Sequence, residues 1–86
     1  MYIVIFRKQP LRFLYEINEP DKTYLKNAIS ELSENYFIPG KNTKVLKGEL
    51  ATLFRLRIGK YRIIYTVDHP KNEVIILVIN RRDSVY

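Results

Sequence analysis

The sequence has no cysteine and no tryptophan, a single histidine and only three glycines. Without cysteine, disulfides and thiolate metal ligation are excluded. The histidine, His69, sits beside Pro70 with no second histidine or cysteine to complete a zinc site, so a solvent-exposed turn is its expected place. Gly40, Gly48 and Gly59 stand far apart, so neither a GxGxxG fingerprint nor a Walker motif exists. No serine or threonine has a credible histidine partner for a triad. The carboxylates Glu16, Glu19, Glu31 and Glu34 fall on or beside predicted helices and are expected to be solvated. The longest apolar run, Val74 to Ile79, has strand length and is far short of the ~20 residues of a membrane span. Met1 to Arg7 carries neither a basic n-region nor a long apolar stretch, so no signal peptide is expected, and the lack of cysteine is compatible with the cytoplasm.

A chain of 86 residues is read as one domain, 1–86. A domain of this size buries about 60% of its unfolded surface, enough for one sheet and one helical layer. The net charge of +6 is unevenly placed. Residues 1–40 hold five Lys/Arg and five Asp/Glu, and residues 41–86 hold ten Lys/Arg and four Asp/Glu, so the whole excess lies in the second half. Such asymmetry points to an acidic partner or a nucleic acid.

Tyr2 to Phe6 reads as a first strand. Pro10 suits a helical first turn, and Leu11, Leu14 and Ile17 predict a helix over about 9–18. Asp21 is the expected N-cap of a second helix, with Leu25, Ala28, Ile29, Leu32 and Tyr36 on its apolar stripe. Residues 37–49 read as a basic connection carrying Lys41, Lys44 and Lys47, with Val45 and Leu46 tucked down. Val74 to Ile79 is apolar at every position and predicts a central strand buried on both faces.

The densest pattern runs from Leu53 to Tyr65. Two alternating runs, about 52–58 and 61–67, flank Gly59-Lys60, the Gly-X chemistry of a two-residue II′ turn. This register places Phe54, Leu56, Ile58, Tyr61, Ile63 and Tyr65 on one face and Arg55, Arg57, Arg62 and Ile64 on the other. Arg57 then opposes Arg62. Like charges directly across a ladder destabilise it, so an anion is expected over them. Arg81 or Arg82, directly after the central strand, can join Arg62, and Tyr86 lies within reach of an extended tail. Arginine forks match phosphate oxygens. A tyrosine can stack on a base, or accept a proton if cations lower its pKa.

Leu46-Lys47-Gly48, the stretch Phe54 to Tyr65, and the ending Ile79-Asn80-Arg81-Arg82-Asp83-Ser84-Val85-Tyr86 together resemble the RelE/ParE superfamily of type II toxin–antitoxin toxins. The resemblance implies an α+β fold of order β-α-α-β-β-β, a mainly antiparallel sheet with a helical hairpin on one face. It implies a toxin neutralised by a cognate acidic antitoxin, with a heterotetramer as one assembly. RelE-like members cut mRNA in the ribosomal A site without metal or cofactor, by attack of the ribose 2′-hydroxyl on the adjacent phosphate. ParE-like members inhibit DNA gyrase instead, and inactive antitoxin-binding relatives are a further alternative. On the RelE-like reading, Arg62 and Arg81 stabilise the transition state and Tyr86 is the candidate base. Arg55, Arg57, Lys44, Lys47, Lys60 and Arg82 grip RNA phosphates, and Arg82 is the alternative to Arg81. Asn80 stands where relatives often carry histidine or lysine.

Overall fold

The computed structural model describes residues 1–37, 43–46 and 52–81. Its elements are β1 (Ile3–Phe6), α1 (Lys8–Glu16), α2 (Asp21–Glu34), β2 (Thr43–Leu46), β3 (Leu53–Ile58), β4 (Tyr61–Asp68) and β5 (Glu73–Arg81). The strands form one sheet in the order β1-β5-β4-β3-β2. β1 runs parallel to β5, and the remaining pairings are antiparallel.

The β3–β4 hairpin has the register that its alternation implies, from Ile58 opposite Tyr61 to Arg55 opposite Ile64. Gly59 alone in the turn has a positive φ, 57°, as a type II′ turn requires at its first central residue. The inward side chains Phe54, Leu56, Tyr61, Ile63 and Tyr65 are buried and meet Leu14, Leu25, Ala28, Ile29 and Leu32 from the helices. Both helices therefore lie on one side of the sheet. Each fully buried leucine or isoleucine here contributes about 1.5–3 kcal/mol relative to exposure.

Pro10 is buried in the first turn of α1, where its missing N–H is not needed. That helix ends the pairing of β1 at Phe6, opposite Ile76, and leaves the β5 edge bare beyond it. Gln9 fills the gap. Its Nε2 donates to the Ile79 carbonyl at 2.7 Å, and the Ile79 N–H donates to its Oε1 at 2.9 Å, so one side-chain amide continues the ladder.

Three expectations are corrected. Residues 43–46, read as part of a loop, form the edge strand β2. Four residues are too few for periodicity to show. Lys44 is exposed at this edge, a placement that discourages pairing with another chain, and Val45 is 45% exposed rather than tucked down. Second, Asp21 opens α2 but does not cap it. Glu19 does that work, accepting from the Thr23 N–H at 3.1 Å and the Thr23 hydroxyl at 2.6 Å. Third, β5 is not buried on both faces. Val74, Ile76 and Ile79 are fully buried, while Ile75, Leu77 and Val78 are half-buried, because both helices pack on the same side.

Candidate nucleic-acid interface

Opposed residues in an antiparallel pair project to the same face, so the registers fix what the helix-free side presents. One row is Lys44, Arg55, Ile64 and Val78, each paired with the next. The neighbouring row is Arg57, Arg62 and Asn80. Among the described residues, four cations from three adjacent strands thus share one end of the sheet face turned away from the helices. Among the described residues, the carboxylates on that face are Asp68 and Glu73, which pair at the far end of β4 and β5, about 20 Å from Arg62 by strand rise.

These arginines are half-buried against the sheet. The Nε atoms of Arg55 and Arg62 are buried and have no hydrogen-bond partner among the described residues, and the same holds for Oδ1 of Asn80. Buried polar atoms without partners are costly, and in native proteins they mark places where water or a ligand completes the shell. A cationic shelf with unspent donors is suited to a phosphodiester backbone.

Arg81 does not join it. β5 holds a bulge at the Ile64/Tyr65 step: Tyr65 pairs with Ile76, Ile64 with Val78, and Leu77 is the extra residue. After the bulge Ile79 points inward, Asn80 outward and Arg81 inward, opposite Tyr61. The residue that β5 delivers beside Arg62 is Asn80, which the sequence alone does not place in the site. Unbroken alternation from Val74 would give the opposite assignment.

Arg81 instead belongs to a group at the start of α2. The Tyr61 hydroxyl donates to Asp21 Oδ2, and Lys60 Nζ lies 3.5 Å from the same oxygen. The hydrogen bond from Tyr61, then the charges of Lys60 and Arg81, hold the Asp21 carboxyl below its usual range. The bond to Asp21, then burial, push the Tyr61 hydroxyl up. Lys60, expected on the phosphate-binding face, is thereby engaged on the helix side. Burial also raises Tyr65, whose hydroxyl donates to the Tyr36 carbonyl at 2.6 Å, so it is a core residue. His69 is exposed in a turn, as expected, and is tied to the Tyr2 hydroxyl through Nδ1 at 3.0 Å. Lys47, Arg82 and Tyr86 lie outside the described residues.

A second concavity lies on the helical side. Phe6, Leu11, Leu14 and Tyr15 line it, with Lys8, Arg12, Lys22, Lys26 and Glu16 also around it, and its volume is about 810 Å³. Leu11 is 59% exposed and Tyr15 84% exposed, one helical turn apart on α1.

The chain matches, over residues 4–86, the family described as the ParE toxin of the type II toxin–antitoxin system parDE. Toxin RelG of Mycobacterium tuberculosis is 36% identical over 59 residues, 69% of this chain, and the match spans 64% of that protein's length. In the crystal structure of the toxin–antitoxin complex RelBE2 from the same organism, one chain is 30% identical. It superposes with a TM-score of 0.74, over 94% of this chain and 98% of that one. A chain of the archaeal RelE–RelB complex from Pyrococcus horikoshii OT3 shares the fold, with a TM-score of 0.84 at 24% identity over 98% of each chain. The helical hairpin on one side of a mixed five-stranded sheet is thus the RelE-like fold. The chain belongs to the ParE toxin family of type II toxin–antitoxin systems, within the RelE/ParE superfamily.

Proposed function

We propose that the protein is the toxin of such a pair and acts as a ribosome-dependent mRNA endonuclease. The observation that carries this reading is the helix-free shelf of Arg55, Arg57 and Arg62 with Lys44 beside them. In the reaction, the 2′-hydroxyl gives up its proton and attacks the adjacent phosphorus, the bond to the 5′-oxygen breaks, that oxygen takes up a proton and leaves as a 5′-hydroxyl, and a 2′,3′-cyclic phosphate remains. Negative charge grows on the phosphorane oxygens. Arg62, on the middle strand of the sheet, stabilises it, because a fixed guanidinium acts most where charge develops. Arg55, Arg57 and Lys44 hold the flanking phosphates. Tyr86 remains the proposed base, and Lys47 and Arg82 proposed phosphate contacts, on the strength of the sequence alone. Arg81 has no place in this mechanism, since it faces the helices.

The partner proposed is an acidic antitoxin, as the two solved relatives named above come from toxin–antitoxin complexes. The apolar groove along α1, flanked by basic residues, suits an acidic amphipathic segment. Primer extension on translating ribosomes tests the function. Wild type should give discrete cuts in ribosome-bound mRNA, and Arg62→Ala should abolish them. The ParE name of the family model favours one other reading, inhibition of DNA gyrase. Intact mRNA together with gyrase trapped on DNA would establish that reading instead.

A further inference from the structure

Asn80 stands directly across the β4–β5 ladder from Arg62, on the open face, and both residues are half-buried. Among the described residues its Oδ1 has no hydrogen-bond partner, and neither has Nε of Arg62 or Arg55. One end of the sheet therefore holds an unspent acceptor among unspent donors. A ligand that satisfies this set must bring acceptors for the guanidinium groups and a donor for Oδ1. A phosphodiester of DNA brings acceptors only, and so does a carboxylate. A ribonucleotide brings both on neighbouring atoms, phosphate oxygens and a 2′-hydroxyl that can donate.

We propose that Asn80 reads the ribose: its Oδ1 accepts the hydrogen bond of a ribonucleotide 2′-hydroxyl whose phosphate is held by Arg62. This inference rests on the reading of the shelf as an RNA site. Oδ1 is itself buried, so the contact forms by rotation of the Asn80 amide and a swing of the Arg62 side chain. Neither movement disturbs the ladder between them. An amide does not take up the hydroxyl proton, so Asn80 is a positioning residue. It fixes where the 2′-oxygen sits relative to the phosphorus and leaves proton removal to another group.

The experiment is a binding titration by fluorescence anisotropy at low salt. Three single-stranded oligonucleotides of one sequence are compared: RNA, DNA and 2′-O-methyl RNA. Wild type should bind RNA about three- to tenfold more tightly than either of the others, the worth of one net hydrogen bond. Asn80→Ala should erase the ratio and leave DNA binding unchanged. Asn80→Asp, which keeps the acceptor, should bind all three more weakly and still prefer RNA. Arg62→Ala should weaken all three and preserve the ratio. A purely structural role for Asn80 would change affinity for the three together. An RNA preference that survives in Asn80→Ala overturns this inference and leaves the RNA site intact. Failure of wild type to bind any of the three overturns the RNA site, and this inference with it.

Discussion

Arg62 and Asn80 face each other across β4 and β5, while Arg81, one residue further on, lies on the opposite side of the sheet against Tyr61. A guanidinium expected to reinforce the phosphate-binding shelf thus serves the junction between the hairpin tip and α2. On β5 the face of the proposed phosphate contacts and the helix-side cluster are separated by a single peptide unit.

Arg81 and Arg62 should therefore fail differently. Arg81→Ala is expected to keep ribosome-dependent cutting within about threefold of wild type while lowering the melting temperature, since removing an exposed charge from its partners costs about 0–1 kcal/mol. Arg62→Ala is expected to keep the melting temperature and lose cutting. Parallel thermal melts and primer extension check the pair, and equal loss of cutting in both variants would contradict the face assignment.

RNA affinity should fall steeply with salt. If Lys44, Arg55, Arg57 and Arg62 each neutralise one phosphate of a single strand, log K against log salt has a slope of about −2.8. Arg57→Ala should make the slope shallower by about 0.7. Titrations over a range of salt concentrations measure both values.

The Tyr61–Asp21 bond gives stability a dependence on pH at both ends. Asp21 has a depressed pKa when folded, so its contribution is present above its ordinary value of 3.8 and is lost as pH falls through the folded value. Tyr61 has a raised pKa, so its contribution is present below its ordinary value of 10.0 and is lost as pH rises through the folded value. Tyr61→Phe should be less stable than wild type in the window between, and the gap should narrow at both extremes. Urea melts at about pH 3, 7 and 11 follow the gap directly.

Two substitutions separate backbone from core. Gly59→Ala places a Cβ at φ +57°, 3.4 Å from the Tyr24 ring, and should cost about 1–2 kcal/mol. Ile63→Ala, at a fully buried site, should cost about 2–5 kcal/mol. Denaturant midpoints rank them.

The hairpin was legible because β3 and β4 alternate without interruption and Gly59 fixes their register. The stripe of α2 was legible because Leu25, Ala28, Ile29 and Leu32 recur at helical spacing. β5 was not, because a strand apolar at every position from Val74 to Ile79 shows no parity, and its bulge is set by pairing with β4 rather than by any residue type. Hence the sequence points Arg81 at the shelf and gives Asn80 no place on it. The capping of α2 was misassigned for a related reason. Glu19 and Asp21 are both carboxylates near a helix start, and only the buried Tyr61 hydroxyl decides which one is drawn away.

Leu77 gives β5 one place where chain length and side-chain direction are uncoupled. Its neighbours Ile76 and Val78 already pair with consecutive residues of β4. Losing that one codon would therefore join two ladders already in phase, with Ile76 and Ile79 still inward and Asn80 still outward. The same slack covers its two neighbours: were the codon of Ile76 or of Val78 lost, Leu77 would take the vacated place opposite Tyr65 or Ile64.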